Sequence, residues 1–103
     1  MNNYDLIREA IINKQYISCS YNGYYREMCP HTIGTKNGKA QALFYQFGGK
    51  SKSGLSTDPK NNWRCIPVNE ITNIQVHSGK WYTADNHNQS QSCIDNVDIE
   101  IVY

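Results

Sequence analysis

The feature that most constrains the fold is an apolar and aromatic run in the middle of the chain, from Gln41 to Gly49. Read at a period of two residues, the run has two apolar faces: Leu43, Tyr45 and Phe47 on one, Ala42 and Phe44 on the other. A strand that is apolar on both faces is typical of the interior of a sheet or barrel. The sequence therefore predicts a central strand covered from both sides, with Leu43 and Phe44 in the core.

Two Asn-Gly pairs predict tight hairpins on the N-terminal side of this strand, because both positions of such turns favour positive φ. Asn22-Gly23 follows a segment in which Ile17, Cys19 and Tyr21 alternate with serines. The returning strand is expected to run from Tyr24 to Cys29 and to end at Pro30, which has no N–H to donate. Residues 32–35 then lead to the second turn, Asn37-Gly38, and the central strand begins at Lys39.

The rest of the chain adds one helix and several short strands. Residues 3–14 predict a helix with Asn3 as its N-cap and one apolar stripe. Strands are predicted at Trp63 to Val68, at Ile71 to Val76 and at the C-terminus, where Val97, Ile99, Ile101 and Tyr103 would face inwards and Asp98 and Glu100 outwards. The 103 residues are therefore expected to form one domain, residues 1–103, that is mainly β with one N-terminal helix and a small β-barrel or strongly bent sheet.

Charge is segregated along the chain. The net charge is +1, which argues against a purely electrostatic nucleic-acid binder. Residues 26–64 contain seven Lys/Arg and two acidic residues, a net of +5, whereas residues 65–103 contain one Lys and five acidic residues, a net of −4. We therefore expect one polar face of the domain to be positive. The sequence shows neither a membrane span nor a signal peptide, and a cytoplasmic location is expected.

The four cysteines form no C-x-x-C pair. In a reducing compartment this pattern predicts four free thiols, at Cys19, Cys29, Cys65 and Cys93. A zinc site built from Cys29, His31 and distant partners is an alternative, but structural zinc sites usually have closely spaced ligand pairs. No metal and no cofactor are expected.

One group of residues has the chemistry of an anion site. Arginine offers a planar fork for phosphate, aromatic rings stack on bases, and lysines after paired glycines favour phosphate contacts. The predicted ligand-binding residues are Arg26, His31, Tyr45, Gln46, Lys50, Lys52, Trp63 and Arg64. The two lysines belong to a polar loop predicted from Lys50 to Asn62, and loops of this length are often functional.

Structural roles are the alternatives for the same residues. Trp63 could cover the core, Arg64 could pair with Glu27 or Glu70 at the surface, and His31 could be a packed structural histidine. No arrangement of serines, cysteines and histidines forms a local nucleophile signature, so we expect no enzyme and no catalytic residues.

The order of these motifs resembles the WYL domain. The matching patterns are A-I…Q-Y-I-x-x-x-Y-x-G-x-x-R at 10–26, P-H-x-x-G at 30–34 and W-R-x-I-P-V-x-x-I-x-x-I at 63–74. In place of the Trp-Tyr-Leu triplet that names the family, this chain has Phe44-Tyr45-Gln46. The resemblance covers about residues 6–78, and a polar loop and terminal strand, 79–103, lie outside it.

The resemblance implies a small Sm-like or SH3-like β-barrel with a helix packed on it, in a prokaryotic or phage protein. Such domains are ligand-sensing modules, usually attached to winged-helix DNA-binding domains or part of prokaryotic defence proteins, and are thought to bind nucleotides or nucleic acids. The predicted function is therefore recognition of an anionic ligand, a nucleotide or a short single-stranded nucleic acid. The alternative is a small protein–protein interaction or inhibitor protein that recognises its partner by shape and charge.

Overall fold

A computed structural model of the protein describes residues 2–49, 62–79, 81 and 93–101. Its elements are helix α1 (Asn3–Ile12), strands β1 (Tyr16–Tyr21), β2 (Tyr24–Lys36), β3 (Lys39–Gly49) and β4 (Trp63–Pro67), a 3₁₀ turn (Val68–Glu70), and strands β5 (Thr72–His77) and β6 (Asn96–Glu100). The prediction of a mainly β chain with one N-terminal helix is thus confirmed. All of the predicted polar loop except Asn62 lies outside the described residues.

The six strands form one antiparallel sheet in the order β4-β3-β2-β1-β5, with β6 paired to β2. The central run is β3, between β2 and β4, as predicted. Both Asn-Gly hairpins are also confirmed, since Asn22 and Gly23 have φ of 53° and 78°, and Asn37 and Gly38 have φ of 52° and 80°. These positive values are the backbone conformation that the sequence pattern favours.

The expectation that Pro30 ends its strand is wrong, because β2 is 13 residues long and continues through Pro30 to Lys36. The first part of β2 pairs with β1 as far as Met28, and the last part pairs with β6 from Thr32 onwards. Its register with β3 also shifts between Pro30 and Thr32. Pro30 therefore lies at a bulge where β2 exchanges one neighbour for another, which is a place where a sheet tolerates a missing N–H.

The sheet is strongly curved. Its two outer strands, β4 and β5, are joined only by the 3₁₀ turn and Ile71. A 3₁₀ turn rises about 2 Å per residue, whereas the edges of a flat five-stranded sheet are roughly 19 Å apart at ~4.8 Å per neighbouring pair. The sheet must therefore bend to bring its edges towards each other. Within the described residues β4 and β5 do not pair, so closure into the predicted barrel is not confirmed.

Helix α1 begins at Asn3, the first residue of the predicted helix, but its N-cap is Asn2 and not Asn3. The Asn2 side chain accepts a hydrogen bond from the Asp5 N–H at 2.8 Å. The Asn3 side chain instead donates to the carbonyl oxygens of Val68 and Ile71, at 3.1 and 2.7 Å. Asn3 thereby attaches the helix to the turn that joins β4 and β5. The helix ends at Ile12, and Lys14 has a φ of 50°.

The main core lies between α1 and one face of the sheet, which we call the inner face. Phe44 is fully buried there, as predicted. The core consists of Ile7, Ala10, Ile11, Ile17, Cys19, Met28, Ile33, Ala42, Phe44, Ile66, Val68 and Ile71. The prediction that Leu43 belongs to the core is wrong, since Leu43 is only half-buried. It lies on the opposite face, the outer face, beside the exposed Cys65 of edge strand β4.

The predicted facing of the terminal strand is confirmed only in part. Ile101 is buried and Ile99 packs against the core, with Asp98 and Glu100 exposed. Val97, however, is 46% exposed. The register of β6 with β2 shifts between Ile33 and Gly34, so the regular alternation is interrupted next to Val97. Tyr103 lies outside the described residues.

The prediction of four free thiols is wrong, because Cys65 and Cys93 form a disulfide with a Cα–Cα distance of 5.8 Å. Gln41 lies beside it and donates a hydrogen bond to the Cys93 carbonyl at 2.7 Å. Cys19 and Cys29 are free and buried, and burial raises the pKa of the Cys19 thiol to about 11. In the part of the chain that the structure describes, no group of three or more metal-ligating side chains occurs. No helix in that part is long and apolar enough to cross a membrane.

Candidate anion-binding site

The predicted ligand-binding residues that the structure describes fall on two faces of the sheet. Neighbouring residues of a strand point to opposite faces. In β4, Arg64 lies opposite Phe44 of the inner face, whereas Trp63 lies opposite Tyr45 of the outer face. Adjacent residues that the sequence placed in one site are therefore separated by the sheet itself.

Three of the predicted binding residues, Arg26, Gln46 and Arg64, lie on the inner face, and we call them the inner-face group. Arg26 is its central residue. Only 4% of the surface of Arg26 is exposed to solvent. Its Nη1 donates to the Gln46 Oε1 at 3.4 Å, and its buried Nε has no hydrogen-bond partner. Among the described residues, no carboxylate forms an ion pair with it. Burial of a charge without an ion-pair partner is costly, so this guanidinium is a strong candidate for binding an anion.

Two tyrosines flank the Arg26 guanidinium. Its Cζ atom lies 5.0 Å from the ring centroid of Tyr21 and 5.9 Å from that of Tyr24. The two tyrosines are cross-strand partners beside the first hairpin turn. Cation–π contacts of this kind stabilise a cation but do not provide an acceptor for its in-plane N–H donors. The tyrosines therefore hold Arg26 in place without neutralising it.

Gln46 is the polar partner of Arg26 in the inner-face group and is fully buried. Its Nε2 donates to the Gly48 carbonyl at 3.0 Å, and its backbone N–H donates to the Asn62 carbonyl at 3.0 Å. Its side-chain oxygen accepts from Arg26. These contacts provide the hydrogen-bond partners that a glutamine in so apolar a strand requires, and they fix the amide with its oxygen towards the guanidinium.

Arg64 is the second cation of the inner face. It is partly buried, and its Nη1 donates to the Trp63 carbonyl at 3.1 Å. Partial burial lowers its pKa from the ordinary value, and the positive charge of Arg26 lowers the pKa further. Arginine remains charged under physiological conditions, so two guanidinium groups contribute positive potential to the same region.

On the outer face, three of the predicted residues, His31, Tyr45 and Trp63, form an aromatic cluster. The ring of Trp63 makes edge contacts with His31 at 4.7 Å and with Tyr45 at 5.3 Å. Trp81 lies 5.0 Å from His31. His31 is 2% exposed and its Nδ1 donates to the Cys29 carbonyl at 2.8 Å. These contacts favour the structural interpretation of His31, Tyr45 and Trp63, which form a second packing cluster.

A hydroxyl–imidazole contact also occurs on the outer face. Ser18 Oγ lies 2.8 Å from His77 Nε2, and the His77 ring stacks on Tyr16. Ser18 is buried in the middle of β1. A nucleophile needs an accessible oxygen beside its base, and the burial of Ser18 favours a structural cross-strand hydrogen bond.

Sequence reasoning missed the two tyrosines beside Arg26. A signal for them existed, because Tyr24 and Arg26 are two residues apart in a strand and therefore share a face. Tyr21 precedes the same hairpin turn, opposite Tyr24. Lys50 and Lys52 lie outside the described residues, and their predicted role in binding stays a prediction.

Comparison with known proteins found no matching family model, no matching curated protein and no matching solved structure. The resemblance to the WYL domain consequently rests on the sequence motifs alone and stays a prediction. The inner-face group, Arg26, Gln46 and Arg64, is the part of the described structure with the chemistry of an anion site.

Proposed function

We propose that this chain is a binding module that recognises an anionic ligand, a nucleotide or short single-stranded nucleic acid. The ligand would bind at the inner-face group, with Arg26 as the main contact and Arg64 as the second cation. The proposal assigns no catalytic residue and no cofactor.

The observation that supports the proposal is the Arg26 side chain. It is almost fully buried, its Nε has no partner, and no described carboxylate is paired with it. Removal of a guanidinium from water costs several kcal/mol, on the order of the penalty for any buried ion. A bound phosphate would offset that cost by accepting a charge-assisted hydrogen bond from the unpartnered Nε–H.

We further propose that the curved sheet closes as a small Sm-like or SH3-like barrel of the WYL type. The short link between β4 and β5 supports this arrangement, because it holds the two outer strands near each other. In such a barrel the inner-face group would lie at one end of the interior, beyond the apolar core. Small barrels often bind ligands at an open end.

The test is titration calorimetry of the folded protein with AMP and with a 5′-phosphorylated triadenylate. Arg64→Ala is expected to weaken binding by about 1.5–3 kcal/mol, the scale of a charge-assisted hydrogen bond, with little loss of stability. Binding should also weaken steeply with salt for the trinucleotide, because phosphate contacts release counterions.

Trp63→Leu provides the matched control, since Trp63 precedes Arg64 in the chain but lies on the outer face. This variant should leave the affinity for AMP within about twofold of wild type, because electrostatic contacts to the ligand are unchanged. If neither AMP nor the trinucleotide binds, the proposed function is contradicted and the protein–protein alternative is favoured. An Arg64→Ala variant that unfolds while it binds AMP normally would make Arg64 structural.

A further inference from the structure

The Arg26 guanidinium is enclosed by the residues around it. The residue is 4% exposed, and the rings of Tyr21 and Tyr24 lie beside its guanidinium. Towards β3 the backbones themselves are in contact, since a Cβ atom on Gly49 would lie 2.6 Å from the Arg26 Cα. An anion that reaches this guanidinium must therefore be small, or must project from the end of a larger molecule.

An internal phosphodiester and a terminal phosphate monoester differ in how they can reach an enclosed guanidinium. A diester is bonded to nucleosides through two oxygens, so the strand must pass the contact point in both directions. A monoester is attached through one oxygen and offers three acceptor oxygens on its free side. Only the monoester can be inserted end-on into an enclosed site.

The charge of the site also favours a phosphate monoester. A phosphate monoester has a charge of about −1.5 to −2 near pH 7, whereas a diester has a single negative charge. Two guanidinium groups lie close enough for the charge of Arg26 to act on Arg64. A group with a charge near −2 matches this pair better than a diester does.

From the burial of Arg26 and its unpartnered Nε, we infer that the site binds a terminal phosphate monoester and not an internal diester. The chemical class is that of a mononucleotide, a sugar phosphate or a phosphorylated oligonucleotide end. This inference rests on the proposed function and narrows it to one chemical group of the ligand.

The test compares five probes on the wild-type protein by titration calorimetry: ribose 5-phosphate, AMP, adenosine, a triadenylate with a 5′-phosphate and the same triadenylate with a 5′-hydroxyl. The two trinucleotides contain the same internal diesters and differ only in the terminal group. The 5′-phosphorylated trinucleotide should bind at least about tenfold more tightly than the 5′-hydroxyl trinucleotide. AMP should bind more tightly than adenosine by a similar factor.

The outcomes separate the inference from the proposed function. Equal binding of the two trinucleotides would overturn the inference and leave the proposed function intact, whereas no binding of any probe would overturn both. Ribose 5-phosphate that binds as tightly as AMP would support the monoester and show that the base adds nothing. AMP at least about tenfold tighter than ribose 5-phosphate would support a nucleotide as the source of the monoester.

Arg26→Lys provides the second test, because lysine keeps the charge but lacks the planar fork of donors. The preference for the 5′-phosphorylated trinucleotide should fall at least about fivefold in this variant. A preference that is unchanged in folded Arg26→Lys protein would overturn the assignment to Arg26. If the variant does not fold, the probe series on the wild-type protein decides the inference alone.

Discussion

The two faces of the sheet differ in how they use aromatic and polar residues. The inner face has a continuous apolar core around Phe44 and ends in a polar group in which Arg26 has an unpartnered buried nitrogen. The outer face has rings that contact each other, around Trp63, and a histidine whose Nδ1 is hydrogen-bonded to a carbonyl oxygen. Aromatic residues therefore serve packing on the outer face, whereas the buried unpartnered donor lies on the inner face.

The comparison shows why sequence proximity misleads in a β protein. Trp63 and Arg64 are adjacent in the chain, and a tryptophan next to an arginine suggests a platform for a nucleotide. In β4 the two side chains project to opposite faces. The cation near Arg64 is instead Arg26, which is 38 positions earlier in the sequence.

The largest expected effect concerns the inner face. Phe44→Ala should lower the free energy of unfolding by about 3–5 kcal/mol, because it removes a fully buried ring. The matched outer-face variant is Leu43→Ala, which should cost less than about 2 kcal/mol because Leu43 is half-buried. Urea unfolding followed by circular dichroism measures both. A loss below about 1 kcal/mol for Phe44→Ala, or equal losses for the two variants, would contradict the assignment of the faces.

Removal of the Cys65–Cys93 disulfide, on the outer side of β4, is expected to have a smaller effect on the free energy of unfolding. Its cysteines are 28 positions apart, and a loop of that length predicts a stabilisation of about 3.5 kcal/mol. Replacement of both Cys65 and Cys93 by serine should therefore lower the free energy of unfolding by roughly this amount. The measurement is urea unfolding of protein purified without reductant.

Counting thiols provides the control for the disulfide. Alkylation of the unfolded, non-reduced protein should label two cysteines, Cys19 and Cys29, and mass spectrometry counts the labels. Cys19→Ala should reduce the count to one. Four labels in the wild-type protein would mean that Cys65 and Cys93 are not bonded.

The smallest effect concerns the contact between α1 and β6. The Tyr4 hydroxyl donates to Asp98 Oδ2 at 2.6 Å. Burial, and then this hydrogen bond, raise the pKa of Tyr4 to about 12. The hydrogen bond from Tyr4 is in turn the main reason that the pKa of Asp98 is below its ordinary value. The contact thus requires a neutral tyrosine and an ionised aspartate.

The pH dependence of the stability that this contact provides follows from the raised pKa of Tyr4 and the lowered pKa of Asp98. The stability from Tyr4 is complete below its unfolded pKa of about 10 and is lost as the pH rises towards 12. The stability from Asp98 is present above its unfolded pKa, about 4, and is lost at lower pH. The difference in stability between wild type and Tyr4→Phe should therefore be largest between pH 5 and 9. Urea unfolding at about pH 3, 7 and 11 measures it, and a pH-independent difference would contradict the contact.

Local signals in the sequence were sufficient for much of the fold. Two Asn-Gly pairs placed both hairpins, and the two-sided apolar run placed β3. The prediction for Pro30 is wrong because the rule that proline ends a strand is local, whereas the exchange of β1 for β6 along β2 depends on the tertiary fold. The disulfide was missed for a similar reason, since its cysteines meet only through the folded sheet.

The candidate site could be predicted only in part. Arg26, Gln46 and Arg64 were identified by residue type, but their separation from Trp63 required the pairing register. Alternation along β4 alone would have separated Trp63 from Arg64. The burial of Arg26 was not predictable, because it depends on the cross-strand tyrosines and on the close approach of Gly49.

The central claim is that the buried Arg26 guanidinium binds the anionic group of a ligand. The most direct measurement is the side-chain Nε–H resonance of Arg26 in ¹⁵N-labelled protein, assigned with the Arg26→Lys variant and followed during titration with AMP. The Nε–H has no acceptor in the free protein, and formation of a charge-assisted hydrogen bond should move its resonance in a saturable way. An Arg26 resonance that does not move while other resonances report AMP binding would contradict the claim.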